Sequence, residues 1–278
     1  MKIQDQARSI TKKLSNHARA KSTPYQNIAT EFLIERFLVR IIADKKLYSA
    51  LIFKGGYVGL RVYDSPRYTI DLDALLQKIE IPLALELIKK AAWANLGDAV
   101  WFRFESEINL ETQGEYGGIR LVFRTGIGEI PKEIKRSQVI QFDLGIGDPV
   151  TPAPIAHESK ELLGEKSISW QVYPVETIIA EKIHALVDRG SNNSRSKDVF
   201  DLMQFAPRAN PKALQLALAA CFKHRKSELP LSISQHLRRI ELTLLNKGWS
   251  SAISGIKDAP TCEEAFNAII AQLEKMGI

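Results

Sequence analysis

Two carboxylates separated by one residue stand in Arg67-Tyr68-Thr69-Ile70-Asp71-Leu72-Asp73-Ala74-Leu75. Alternate side chains of a strand share a face, so a strand from Arg67 to Leu75 points Asp71 and Asp73 one way and Ile70, Leu72 and Ala74 the other. Carboxylates about 7 Å apart along a strand can share one or two Mg²⁺ ions. The same spacing also suits the wet face of an edge strand. Asp143 in Val139-Ile140-Gln141-Phe142-Asp143-Leu144 alternates against Phe142 and Leu144, and on a neighbouring strand it would add a third acid to the metal cluster. Asp148, in a Gly-Asp-Pro stretch, reads as a turn residue.

Upstream, the apolar run Ser49-Ala50-Leu51-Ile52-Phe53-Lys54 stops at Gly55-Gly56 and gives way to a helical pattern from Tyr57 to Tyr63. Glycines between a buried strand and a helix let backbone N–H groups approach an anion such as a triphosphate. They serve equally as a tight turn. Lys54 and Arg67 would add positive charge to a phosphate pocket here.

A lysine breaks an apolar stripe farther on. In Val175 to Leu186, positions 175, 178, 182 and 186 share a helical side, so Lys182 faces inward and needs a phosphate or a carboxylate. His184 reads as a packed histidine. Arg195-Ser196-Lys197-Asp198-Val199-Phe200-Asp201 places Asp198 and Asp201 on one helix face at i,i+3, where either can pair with Lys182 or act as a base. Asp198 also suits the start of a helix, where its charge meets the dipole.

The elements that must position these groups change along the chain. Residues 1–48 read as helices, with apolar positions 28, 32, 34, 38, 41 and 42 in one stripe and Glu31, Glu35, Arg36 and Arg40 mostly off it. Residues 49–174 mix short strands (about 99–110, 116–125, 137–144 and 168–173) with a helix over 81–97. Residues 175–278 are helical, broken near Gly190, Ala206, Glu228 and Gly248. This order predicts an α+β fold, a mixed sheet with flanking helices and a helical C-terminal domain.

The 278 residues, 45% hydrophobic and 25% charged, suffice for a core without staples. Two cysteines and five scattered histidines argue against a disulfide scaffold and a zinc enzyme. No stretch approaches the roughly 18 uncharged apolar residues of a membrane span, and the start lacks a signal-peptide core, so a soluble cytoplasmic protein is expected. The net charge of +6 divides into +6 for residues 1–49, −3 for 50–175 and +3 for 176–278. A basic first segment fits polyanion contact through Lys12, Lys13, Arg19 and Lys21, and fits solvated helix faces as well.

Taken together, Glu35-Arg36-Phe37-Leu38, the strand into Lys54-Gly55-Gly56, Arg67-x-Thr69-x-Asp71-x-Asp73, the Asp143 strand, Glu181-Lys182-Ile183-x-Ala185 and Arg195-x-Lys197-Asp198-x-x-Asp201-Leu202 resemble the AbiEii/AbiGii-type toxins. These are a branch of the polymerase-β-like nucleotidyltransferase superfamily. The resemblance implies transfer of a nucleoside monophosphate from an NTP, dependent on Mg²⁺ or Mn²⁺, to the 3′ end of an RNA, tRNA above all. It also implies a cognate antitoxin. On this resemblance Asp71 and Asp73 are metal ligands, Lys182 contacts the triphosphate, Asp198 is a catalytic acidic residue, and Gly55-Gly56 forms the nucleotide turn. The superfamily's usual Gly-Ser at that turn is Gly-Gly here, and Thr69 keeps a hydroxyl where a serine is common. Two readings compete: nucleotide transfer to a protein hydroxyl, and a nucleic-acid-binding module without catalysis.

Overall fold

The computed structural model describes residues 2–110 and 118–278. The chain forms two compact units: Met1–Tyr57 with Tyr68–Gly147 and Ala156–Val172, and Val58–Arg67 with Asp148–Ile155 and Tyr173–Ile278. The division differs from a contiguous 1–48, 49–174 and 175–278. The N-terminal helices share a unit with the sheet, because the apolar side of the second helix is covered by sheet aromatics, and two short segments of the middle region fall with the C-terminal helices.

The first unit opens with α1 (Ile3–Ala20), α2 (Tyr25–Ala43) and α3 (Lys45–Ala50). Asp44 caps α3 by accepting from the backbone N–H of Lys46 and Leu47, which turns the chain into β1 (Leu51–Lys54). The helix α4 (Gly55–Val62) follows at once, its residues from Val58 on belonging to the second unit. Then come β2 (Asp71–Leu76), α5 (Ile81–Trp93), β3 (Val100–Asn109), β4 (Gly118–Ile127), β5 (Gln138–Ile146), β6 (Ile155–Lys160) and β7 (Ser167–Val172). The strands form one mixed sheet in the order β3-β4-β5-β2-β1-β7-β6. β2 runs antiparallel to β1 and parallel to β5, while β4 is antiparallel to both β3 and β5.

Phe37 of α2 packs against Phe102, Phe123 and Phe142 from three strands, with ring centroids 4.9–5.5 Å apart, so α2 covers one sheet face. The motif residues beside it hold the frame together. Glu35 accepts the Leu162 backbone N–H, and Arg36 bridges Asp98 and Glu161.

The sheet departs from the sequence reading in three places. β2 starts at Asp71 rather than Arg67, and Ile70 lies outside it, 59% exposed, instead of sharing the buried side of Leu72 and Ala74. The Thr69 hydroxyl accepts from the Asp71 backbone N–H, a local bond that competes with strand pairing. β6 was not anticipated, since IAHESK opens with its only two apolar residues. The strand read over 116–125 is β4 from Gly118; residues 116 and 117 lie outside the described residues.

The second unit contains α6 (Val175–Arg189), α7 (Ser196–Phe205), α8 (Pro211–His224), α9 (Ile233–Leu237), α10 (Thr243–Ala252) and α11 (Cys262–Lys275). α6 packs on α7 and α8, and α11 on α7 and α9. Thr261 and Glu264 close α11 with a reciprocal capping box. Both cysteines are buried and unbridged. Among the described residues no helix is long and apolar enough to cross a membrane.

Candidate active site

The strand register draws four charged residues into one row across the sheet face. Lys54 of β1 is opposite Asp73 of β2, Asp73 is opposite Asp143 of β5, and Asp143 is opposite Arg120 of β4. Neighbouring strands are about 4.8 Å apart, so the row alternates cation, two carboxylates, cation within the reach of one triphosphate. Asp71, two residues before Asp73, lies on the same face over Gln141.

Arg120 secures one end of the row. Its Nε and Nη2 donate to the two Asp143 carboxylate oxygens, each at 2.7 Å. The hydrogen bonds to Asp143 raise the guanidinium's pKa most; burial opposes them, and the charges of Asp143, Asp71 and Asp73 add to the rise. Arg120 therefore neutralises part of a strongly negative patch. The sequence analysis missed it because a cross-strand partner is set by register, which no local spacing reveals.

At the other end, Gly55 has φ +74° and a Cβ built on it would overlap the Asp73 carboxylate. Gly145 lies on the same face beside the Lys54 ammonium; a Cβ there would stand in ordinary contact, 3.6 Å from Nζ. Gly56 lies in the first turn of α4.

The helical unit contains a second charged cluster. Lys182 on α6 donates to Asp198 at 2.5 Å and lies 2.9 Å from Asp201, both on α7. Arg195 reaches the other Asp198 oxygen at 2.7 Å, and Arg67 donates twice to Asp201 at 3.0 and 2.8 Å. Burial works against the Lys182 ammonium, but Asp198 and then Asp201 more than offset it, so its pKa lies above the ordinary lysine value. Burial likewise works against the Asp201 carboxylate, yet Lys182 and Arg67 hold its pKa low. The inward-facing lysine thus finds the carboxylate partners its position demands. Arg67, read from sequence as a phosphate contact beside Lys54, is committed to Asp201.

His184 is a packed histidine, 2% exposed and bonded to Ser227 at 2.8 Å. Asp148, read as a turn residue, is buried 3.6 Å from Arg225. Lys12, Lys13 and Arg19 are exposed along α1, and Lys21 follows its last turn, also exposed.

The donor set suits a hard divalent cation. Asp71 and Asp73 supply carboxylate oxygens from one strand face, and Mg²⁺ typically takes one or two protein carboxylates with waters and substrate phosphates completing its shell. Among the described residues no three His, Cys, Asp or Glu side chains form a metal-holding group, and Asp143 is engaged by Arg120. The expected trio is therefore a pair plus an arginine-paired third acid.

No curated protein matches the chain. A crystal structure of a protein from H. pylori, named as a candidate nucleotidyltransferase, superposes with a TM-score of 0.53 over 91% of this chain and 95% of that one at 16% identity, a likeness of fold. The family model described as nucleotidyl transferase AbiEii toxin, type IV toxin–antitoxin system, matches residues 36–272. The match spans the carboxylate row and the lysine cluster alike, and the chain belongs to this AbiEii family of nucleotidyltransferase toxins.

Proposed function

We propose that the protein transfers a nucleoside monophosphate from an NTP to the 3′ hydroxyl of an RNA, with tRNA as the acceptor. The observation that carries the reading is the row Lys54–Asp73–Asp143–Arg120 with Asp71 on the same face. It combines a hard-cation donor pair with positive charge on both sides, which is what binding and cleaving a triphosphate requires.

In this reaction the RNA hydroxyl oxygen bonds to the α-phosphorus, the bond from that phosphorus to the α–β bridging oxygen breaks, and pyrophosphate leaves. Asp71 and Asp73 would hold Mg²⁺, which when bound lowers the pKa of the attacking hydroxyl and offsets charge on the phosphates. Lys54 supplies a cation beside Asp73, and Gly55 lets the Asp73 carboxylate stand where it is needed. Arg120 restrains Asp143 and reduces repulsion among the three acids. In the helical unit, Lys182 is proposed as the triphosphate contact, kept charged by its carboxylate neighbours. Asp198, paired with Lys182 and Arg195, is the proposed catalytic acidic residue. Thr69 braces the backbone at Asp71, and Gly56 belongs to the nucleotide turn.

The test is to incubate the protein with total tRNA, Mg²⁺ and each α-labelled NTP in turn, beside an Asp71→Ala/Asp73→Ala control. Label in RNA that disappears in the control is expected. Label on polypeptide would move the acceptor to a protein hydroxyl, and an unimpaired control would overturn the mechanism.

A further inference from the structure

A cleft of about 580 Å³ opens where the start of β3, the end of β4, the end of α5 and the first turns of α1 meet. Trp93, Trp101 and Phe102 stand in its wall among mostly small and aliphatic residues. Trp101 lines it at 8% exposure. The chain makes deliberate room for this ring: Trp101 lies over Gly126, where a Cβ would come within 2.9 Å of it.

Beside it, Trp93 is 64% exposed and has the Arg103 guanidinium 3.7 Å from its ring centre. A large exposed aromatic stiffened by a stacked arginine is a surface for flat, electron-rich rings. Gln6 brings α1 to the rim through a 2.7 Å bond to the Gly97 carbonyl. From there α1 carries Arg8, Lys12, Lys13 and Arg19 against one acid, Asp5.

One wall of the cleft, Trp101, is on the same sheet face as the carboxylates. Gly126 and Arg120 are an even number of residues apart on β4, so Trp101 over Gly126 is on the side of Arg120 and Asp143. Six residues of strand separate them, roughly 20 Å. That is a span of a few nucleotides, suited to holding an acceptor upstream of the end being extended.

We infer that this cleft binds an unpaired nucleobase of the acceptor RNA. The base stacks against the Trp93–Arg103 platform, while the cations of α1 follow the phosphates. The inference rests on the RNA-transfer reading for the acceptor's identity, but the binding site is testable without catalysis.

The experiment measures fluorescence anisotropy of a labelled single-stranded octaribonucleotide with wild type, Trp93→Ala and Trp93→Phe, each checked for native circular dichroism. Trp93→Ala is expected to weaken binding at least about fivefold and Trp93→Phe to restore most of it. Unchanged affinity in Trp93→Ala, or no binding by wild type at low salt, overturns the inference. Nucleotide transfer to tRNA is measured on the same proteins. If binding follows the cleft variants but no RNA is labelled, the cleft assignment stands and the transfer reading fails; if RNA is labelled and binding ignores the cleft, the reverse holds.

Discussion

Gly55 has no Cβ, and the Asp73 carboxylate fills the space that one would take. The relationship couples the end of β1 to the second acid of β2 and makes the glycine a requirement of the site rather than of the turn alone. Gly55→Ala adds about 1–2 kcal/mol of strain at φ +74° and forces the carboxylate aside. The expected result is native circular dichroism, a lowered melting temperature and transfer activity reduced at least about a hundredfold, since displaced ligands lose their preorganised geometry. Wild-type activity in a folded Gly55→Ala protein would remove Asp73 from the mechanism.

Arg120 sets the charge of the same patch. Replacing it by Met leaves Asp143 without its bidentate partner and three acids facing one another. Like charges at this distance favour any added cation. Mg²⁺ should therefore raise the melting temperature of Arg120→Met more than that of wild type, in thermal scans with and without the ion. Equal shifts would mean that Arg120 does not tune the cation site.

Much of this was legible because its signals are local. The two-residue period of Asp71-Leu72-Asp73-Ala74 predicts which side each acid takes, and Leu72 and Ala74 are fully buried as that period requires. The i,i+3 spacing of Asp198 and Asp201 and the misfit lysine at 182 likewise point to a charged cluster. What stayed hidden depends on long-range register and packing. Arg120 meets Asp143 only because β4 pairs with β5, and Trp101 finds its space only because Gly126 is opposite it. The stripe read on α2 is too narrow: Glu31, Glu35 and Arg40, placed off it, are 3%, 1% and 2% exposed, since later parts of the chain cover those sides too.

Arg40 offers a direct stability test of that burial. Its guanidinium donates to both Asp98 oxygens and to the carbonyls of Arg36, Ala94 and Val100 at 2.7–3.0 Å. Arg40→Met strands several buried acceptors, a loss of about 3–5 kcal/mol. Arg40→Lys should recover little, because an ammonium cannot span that fork. Urea unfolding of the three proteins measures both; a lysine variant as stable as wild type would show that charge alone suffices.

The Lys182–Asp201 pair predicts how the helical unit responds to pH. The Asp201 pKa is held below its ordinary 3.8, so its contribution is complete above that value and is lost as pH falls through the depressed folded value. The Lys182 pKa is raised above its ordinary 10.5, so its contribution is complete below that and is lost as pH rises through the elevated one. Together they give a plateau between roughly pH 4 and 10.5 with a decline on each side. Lys182→Met should lower stability by about 3 kcal/mol on the plateau, because two buried carboxylates lose a shared cation. It should also erase the alkaline decline assigned to this group, while Arg67 still supports Asp201 at the acid end. Urea midpoints across pH for wild type and Lys182→Met read both effects. An alkaline decline that persists unchanged in the variant would assign it to other groups and leave Lys182 no part in it.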